Sequence, residues 1–131
     1  MTQQTHPSLV RQTHLPGIKL HSRGKVRDVY AVGDDRLLIV ATDRLSAFDV
    51  VMAEGIPDKG RVLTQLSCFW FNFFRGAVPS HFITANVAEY PPELRPFADQ
   101  LEGRSMLVIK SQPFPIECVA RGYLAGSGWK D

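Results

Sequence analysis

Five apolar residues follow one another from Leu37 to Ala41, with polar residues on both sides of them. An apolar run of this length between turn residues predicts a buried strand in the middle of a sheet, here residues 36–42. Two further strands are predicted before it, at residues 18–21 and 26–32, and the connections between the three strands are short. Parallel strands need a crossover of a dozen or more residues, so the pattern predicts an antiparallel meander.

A helix with one apolar face is predicted after residues 43–60, which are polar and typical of a loop. In this helix large apolar side chains recur at intervals of three and four residues, and they are Leu63, Leu66, Phe69, Trp70, Phe73 and Phe74. We expect this aromatic stripe to pack into the core and the helix to end at Gly76. A short helix capped by Ser8 is expected over residues 9–14.

Several prolines divide residues 77–103 into short pieces. The elements predicted in this part and after it are a strand at 81–84, single helical turns near Glu93 and at 98–101, and strands at 104–110 and 116–121. The whole pattern predicts an α+β domain, in which an antiparallel sheet of about five strands packs against one long helix.

Composition and charge exclude several classes of protein. The 131 residues are 44% hydrophobic and 21% charged, as is usual for one globular domain or one lobe of a larger protein. A net charge of +2 argues against a heavily basic nucleic-acid-binding arm, and no apolar run approaches a membrane span or a secretory signal. Cys68 and Cys118 lack the spacing of a zinc site or a disulfide framework, which favours the reducing cytoplasm. We expect both cysteines to be buried.

A first candidate site lies where a glycine and two cations precede or begin a predicted strand. Gly24 allows the backbone to approach a ligand closely, and Lys25 and Arg27, two apart on a strand, are expected to point their side chains the same way. Two converging cations beside a glycine suit a phosphate group. A solvated basic strand face explains the same residues, and the spacing alone does not decide between the two.

A second group of polar residues directly follows the apolar run. It consists of Asp43, Arg44, Ser46 and Asp49. Polar side chains at the end of a buried strand often line a cleft, so Ser46 or Asp49 could hold a polar substrate. Alternatively, Asp43 and Arg44 form a surface pair in a turn, and Ser46 or Asp49 caps the next element.

A third candidate lies between Pro115 and Ser127. On the predicted strand 116–121, Glu117 and Arg121 share one face, where two charges require partners or a ligand. Ser127 lies at a predicted helix start, whose N–H groups favour an anion, so Arg121 and Ser127 could form a second phosphate site. In the alternative interpretation Ser127 is an ordinary helix cap and Arg121 forms a structural ion pair.

Four segments taken together resemble the SAICAR synthetase family, in its order and at its spacing. They are GKVRDVY at 24–30, TDRLSAFD at 42–49, IPDKG at 56–60 and PIECVARGYLAGS at 115–127. The last segment matches the family signature P-[LIVM]-E-x-[IVM]-[LIVMCA]-R-x₃-[TA]-G-S at every position. The resemblance extends from about Ile18 to the last residue.

The resemblance implies an ATP-dependent ligase of purine synthesis. Such an enzyme condenses CAIR, a carboxylated aminoimidazole ribotide, with L-aspartate, and uses ATP with Mg²⁺ to give SAICAR, ADP and phosphate. The implied fold is α+β, with an N-terminal antiparallel sheet similar to the small lobe of protein kinases and ATP between this lobe and a larger one. Residues 1–17 are then an N-terminal extension, 18–112 the sheet lobe and 113–131 the start of the substrate-binding lobe.

The resemblance also implies roles for individual residues. The positions that match ATP-binding residues are Gly24, Lys25, Val26 and Arg27 at the phosphates and Lys110 and Glu117 beside the adenine. The positions that match substrate-binding residues are Arg121 and Ser127 for the CAIR phosphate and Ser46 and Asp49 for the CAIR and aspartate site, with Asp49 as the catalytic residue.

One motif of the family is missing. The second signature, L-x-D-x-K-x-E-x-G, supplies carboxylates for Mg²⁺ and is absent, so the metal ligands are expected outside this chain. Because members of the family are also considerably longer, we expect an N-terminal fragment that is inactive by itself. The alternative is a non-catalytic nucleotide- or phosphate-binding module. An RNA-binding β domain is disfavoured because the aromatic residues concentrate in the helix, and no nucleic-acid or membrane partner is expected. Association of identical copies stays open.

Overall fold

An antiparallel sheet forms the centre of the molecule. The computed structural model describes residues 9–130, and of Ser127 only the backbone. The strands of this sheet are Leu20–Arg23 (β1), Arg27–Val32 (β2), Arg36–Ala41 (β3), Phe82–Thr84 (β6) and Ser105–Ile109 (β7). Their order is β1-β2-β3-β7-β6, with every neighbouring pair antiparallel. The apolar run therefore lies in the central strand, and the predicted α+β fold with its antiparallel meander is confirmed.

The hydrophobic core lies on one face of this sheet. Leu38 and Val40 of β3 are fully buried there, with Tyr30 and Leu107 beside Leu38 in the two neighbouring strands. The proline-rich part of the chain covers this face with 3₁₀ turns at Val87–Glu89 and Arg95–Phe97 and a four-residue helix at Ala98–Leu101. The predicted helical turn at 98–101 is confirmed. The one near Glu93 is instead a tight turn, closed by the Leu94 N–H on the Pro91 carbonyl at 2.9 Å.

The long helix, Lys59–Phe73 (α1), packs against the opposite face of the sheet. Its only buried residues are Gly60 and Thr64, and a Cβ at Gly60 would lie 2.1 Å from the Ala41 carbonyl oxygen. The helix thus approaches β3 through its small residues. The expectation that the aromatic stripe packs into the core is wrong, because Phe69 and Phe73 are 56% and 66% exposed. Helical periodicity identifies an apolar face but not the surface that covers it.

A loop was expected at residues 43–60. These residues instead contain a hairpin before α1 begins. Its strands, Arg44–Ala47 (β4) and Val50–Gly55 (β5), form a separate two-stranded sheet. The turn between them places Phe48 and Asp49 at φ values of 49° and 66°. Short hairpin turns of this handedness usually contain Asn and Gly, so the sequence shows no recognisable turn here.

The predicted strand at 116–121 is absent, since these residues pair with no other strand among the described residues. Alternation of polar and apolar residues is a property of the sequence, whereas a strand also requires a neighbouring backbone. Cys118, expected to be buried, is exposed for the same reason, and Cys68 is half-buried. No helix among the described residues is long and apolar enough to cross a membrane.

Residues 9–14 form neither a helix nor a strand, so the helix predicted there does not form. The Val10 N–H donates to the Asp43 carboxylate and the Thr13 N–H donates to the Asp28 carboxylate, both at 2.9 Å. The bond from Thr13 occupies a backbone N–H that a helix over 9–14 would pair with the carbonyl of residue 9. The expected cap at Ser8 lies outside the described residues.

Candidate functional site

A cleft of about 340 Å³ lies between α1 and the face of the sheet opposite the core. Its apolar walls are Val26, Ile39, Ala41, Leu63, Phe71 and Met106. Two cations, Arg27 and Lys59, also line it. Apolar walls beside a few charged groups are typical of small-molecule sites of this volume.

A second groove is larger, at about 890 Å³, and lies along the C-terminal half of α1. Trp70, Phe71, Phe74, Val78 and Ile109 contribute to its walls, and it contains no Lys, Arg, Asp or Glu. An anionic ligand would find no counter-charge there. Of these two sites, the smaller cleft is the one that offers cations to a phosphate.

The turn from Gly24 to Arg27 borders the smaller cleft. The Gly24 N–H donates to the Arg27 carbonyl at 2.8 Å, which closes the turn between β1 and β2. The Val26 carbonyl accepts from both the N–H and the hydroxyl of Thr42, at 3.1 and 2.8 Å. These bonds hold Val26 and Arg27 at the wall of the cleft.

Lys25 lies in this turn and not in β2, so the alternation expected to align it with Arg27 does not apply to it. Its ammonium group forms an ion pair with the Asp49 carboxylate at the tip of the β4–β5 hairpin. Both side chains are exposed, at 53% and 90%, so water and salt screen the pair and it contributes little to stability. The structure thus brings together two residues that were assigned to different ligands.

Arg44 is buried behind the turn and is not part of a surface pair with Asp43. Its guanidinium donates to the carbonyls of Gly24 and Lys25, at 2.9 and 3.0 Å, and to the Asp28 carboxylate at 2.9 Å. Burial by itself would raise the pKa of Asp28, but hydrogen bonds from Thr13 and Arg44 outweigh it and lower the pKa below its usual value. The network keeps Asp28 ionised and the back of the turn ordered.

Asp43 belongs to a second buried network, which is separate from the network of Arg44. Its carboxylate accepts from Arg104 at 2.9 Å and from the Gly60 N–H at 3.0 Å, which ties the start of α1 to the sheet. Burial would raise the pKa of Asp43, but the bonds from Arg104, Gly60 and Val10 together lower it. Neither network is recognisable in the sequence, because the partners are far apart in the chain.

The remaining predicted site residues do not line the cleft. Ser46 is half-buried in β4, and the Lys110 side chain is exposed just after β7. Glu117 is exposed in an irregular segment, and the Arg121 guanidinium donates to the Ala125 carbonyl at 3.4 Å. A 3₁₀ helix at Gly126–Trp129 contains Ser127, whose side chain lies outside the described part. The expected common face of Glu117 and Arg121 requires a strand that does not form.

The described residues do not form a metal site. Within residues 9–130, no three side chains of the His, Cys, Asp or Glu type converge to hold a metal ion. The buried carboxylates of Asp43 and Asp28 are already paired with arginines.

Comparison with known proteins identifies close relatives. A sequence model of the SAICAR synthetase family matches residues 20–131. A phosphoribosylaminoimidazole-succinocarboxamide synthase of Syntrophotalea carbinolica is 61% identical over 123 residues, which are 94% of this chain and 41% of the relative. The enzyme of the same name in Geobacter sulfurreducens is 58% identical, with the same coverage.

The solved structures that resemble this chain are also SAICAR synthetases. A SAICAR-synthase from Saccharomyces cerevisiae, complexed with SAICAR, has a TM-score of 0.82 and 44% identity over 92% of this chain and 43% of its own. A type-2 SAICAR synthetase in complex with ADP has a TM-score of 0.54 and 25% identity over 72% of this chain and 34% of its own. The chain thus spans about two-fifths of the length of the curated relatives it matches. The family model, the relatives and the similar fold together show that the chain belongs to the SAICAR synthetase family.

Proposed function

We propose that this chain supplies the nucleotide-facing lobe of an ATP-dependent ligase that joins CAIR to L-aspartate. In this reaction an oxygen of the CAIR carboxylate attacks the γ-phosphorus of ATP, which releases ADP and forms an acyl phosphate. The aspartate amine then attacks the acyl carbon, so that an amide forms, phosphate leaves and the amine loses a proton. The products are SAICAR, ADP and phosphate.

The cleft beside the Gly24–Arg27 turn is the observation that carries this proposal. Ile39, Ala41 and Met106 offer an apolar surface to the adenine, and Arg27 and Lys59 are cations that suit its phosphates. Lys25 adds a third cation close by, because its exposed pair with Asp49 is weak enough for a phosphate to replace it. The residues present therefore fit ATP.

The other assignments are part of the same proposal and come from the family resemblance. Asp49 acts as the catalytic residue and faces the CAIR and aspartate site together with Ser46. Arg121 and Ser127 hold the CAIR phosphate, and Lys110 and Glu117 lie beside the adenine. The contact between Lys25 and Asp49 supports a position of the nucleotide phosphates close to the CAIR and aspartate site.

Magnesium would neutralise charge on the phosphates when bound. The described residues of this chain do not fit it, since they form no cluster of metal-ligating side chains and the buried Asp28 and Asp43 are engaged by arginines. We place its ligands in the polypeptide that the longer relatives carry beyond the matched segment. We also place the protein in the cytoplasm, in keeping with its free thiols, Cys68 and Cys118.

A hybrid enzyme tests the proposed function. In it this chain replaces the matched segment of the Syntrophotalea carbinolica relative, and ADP release is measured with CAIR, aspartate, ATP and Mg²⁺. We expect ADP release that depends on both CAIR and aspartate, and its loss when Asp49→Asn is introduced. A folded hybrid without activity, beside an active unmodified relative, would contradict the proposal.

The second candidate function is a nucleotide-binding module without catalysis. It is favoured by one observation, the lack of a metal-binding cluster among residues 9–130. A hybrid that binds ATP in calorimetry but releases no ADP would support this module over the ligase.

A further inference from the structure

We propose that Arg44 is a positioning residue, which holds the Gly24–Arg27 turn in the conformation that receives the nucleotide phosphates. The proposal rests on the function proposed above for this turn. Arg44 itself does not line the cleft, and its guanidinium lies behind the turn.

The contacts of Arg44 account for most of its donors. The Nη2 group donates to the Gly24 carbonyl and to Asp28, and the Nε group donates to the Lys25 carbonyl. The Nη1 group donates to the Arg11 carbonyl at 2.6 Å, and the side chain is only 10% exposed. One guanidinium thus joins the turn, strand β2 and the segment before β1.

Two consecutive carbonyls of the turn therefore point at the same guanidinium. In a trans peptide the N–H points away from the carbonyl of the same peptide group. The N–H groups of Lys25 and Val26 are consequently directed away from Arg44, and within residues 9–130 neither has an acceptor. Arg44 in this way leaves two backbone donors of the turn, the N–H groups of Lys25 and Val26, for an anion to accept.

Only an arginine can make this set of contacts. Its planar group carries five N–H donors in a fixed fork, whereas a lysine carries a single ammonium group on a flexible stem. Asp28 fixes the guanidinium from the other side, and this carboxylate also accepts from Arg23 at 3.0 Å. Arg23 reaches no carbonyl of the turn, and its other contact is the Thr13 carbonyl, so it serves as a matched control.

Hydrogen exchange in the full chain without ligand tests the structural half of the proposal. The Gly24 N–H reports on the turn, because it donates to the Arg27 carbonyl. With Arg44→Lys we expect exchange of the Gly24 amide to accelerate at least about ten-fold more than exchange of the β3 and β7 amides. With Arg23→Lys we expect the Gly24, β3 and β7 amides to accelerate together. A Gly24 amide that follows the β3 and β7 amides in Arg44→Lys overturns the proposal.

Calorimetry on the hybrid enzyme with the same substitutions tests the functional half, with ATP and adenosine as the probes. We expect Arg44→Lys to weaken ATP binding about ten-fold and adenosine binding less than two-fold, and Arg23→Lys to leave the ratio of the two unchanged. An equal loss for both ligands overturns the proposal. If the unmodified hybrid enzyme binds no ATP although Arg44→Lys alters the turn, the proposed function fails and the structural role of Arg44 stands.

A measurement on the unmodified chain keeps the test independent of how the variants fold. The Nε–H of Arg44 donates to the Lys25 carbonyl at 3.0 Å, so its NMR signal should be slow to exchange and should shift when ATP is added. An Nε–H that exchanges as fast as that of the exposed Arg75 overturns the proposal.

Discussion

Asp43 and Arg44 are neighbours in the chain, yet each belongs to a different buried ion pair. Adjacent side chains of an extended backbone point in opposite directions, so Asp43 meets Arg104 while Arg44 meets Asp28. Sequence analysis could recognise two charges after a buried strand but not their partners, which lie 16 and 61 residues away. The cationic turn was recognisable because its residues are contiguous.

The two buried carboxylates predict how stability depends on pH. The pKa values of Asp28 and Asp43 are lowered in the folded protein, because hydrogen bonds to arginines and backbone N–H groups outweigh the effect of burial. As the pH falls through the ordinary range of Asp, near 4, the unfolded chain binds protons that the folded chain does not. The stabilisation that the two charged carboxylates give is therefore complete above this pH range and is lost below it.

We expect the free energy of unfolding to be nearly constant from pH 7 to 5 and to fall steeply below about pH 4. Urea denaturation at a series of pH values measures it. The exposed Asp34 provides a control, and Asp34→Asn should leave the profile unchanged. A flat profile from pH 5 to pH 3 in the unmodified chain would show that the two carboxylates are not held in their charged form.

Lys25 should contribute to ATP affinity through its charge. A charge-assisted contact with a phosphate is worth roughly 1.5–3 kcal/mol, so Lys25→Ala should weaken ATP binding about ten-fold or more. Calorimetric titration of ATP measures this change. Lys19→Ala removes an exposed lysine before β1 that does not line the cleft, and should leave the affinity unchanged. Equal affinities for the two variants would exclude Lys25 from the site.

At the level of whole elements, the strands of the main sheet were predictable and the hairpin was not. β2, β3 and β7 are apolar runs that their neighbours bury, so local sequence and tertiary packing agree. The hairpin of β4 and β5 could not be recognised in the sequence. Residues 43–46 are mostly polar, and the turn has Phe48 and Asp49 at positive φ. Residues 116–121 show the opposite case, since they alternate as a strand would but have no strand to pair with.

The docking of α1 on β3 depends on the lack of a side chain at Gly60. A Cβ there would lie 2.1 Å from the Ala41 oxygen and 2.8 Å from the Ala41 carbonyl carbon, so the helix would have to move. We expect Gly60→Ala to destabilise the chain by about 1–3 kcal/mol, as overpacking does, although alanine is the better helix former. Urea denaturation measures this change.

Gly76 is the matched control for this substitution. It lies just beyond α1, and a Cβ there would meet no atom within 4 Å. Gly76→Ala should therefore be neutral or stabilise the chain by up to about 1 kcal/mol. If Gly60→Ala were as stable as Gly76→Ala, the close approach of α1 to β3 would be wrong.

At the scale of the whole molecule, we expect this chain by itself to release no ADP from ATP in the presence of CAIR, aspartate and Mg²⁺. Phosphoryl transfer depends on positioning and on the neutralisation of charge, and residues 9–130 hold no cluster of metal ligands. The hybrid enzyme is the positive control in the same ADP-release assay. Turnover by the chain alone at the rate of the hybrid would mean that all catalytic groups lie within these residues.

The aromatic stripe of α1 predicts how the isolated chain behaves in solution. Leu66, Phe69, Trp70 and Phe73 are each more than half exposed, and Trp70 also lines the larger apolar groove. Large contiguous apolar surfaces are uncommon on monomeric proteins and favour association. The curated relatives are more than twice as long as the matched segment, so their additional polypeptide is available to cover this face.

We therefore expect the isolated chain to self-associate with rising concentration in sedimentation velocity experiments, and the hybrid enzyme to do so less. Phe69→Ser with Phe73→Ser should reduce self-association of the chain at little cost in stability, because both rings are already largely in water. The same pair should destabilise the hybrid, where the rings are expected to be covered. Phe114→Ser is the control, since that ring is 86% exposed and lies outside α1. A chain that stays monomeric, or a hybrid that tolerates the pair as well as the chain does, would show that the stripe is an ordinary solvent-facing surface.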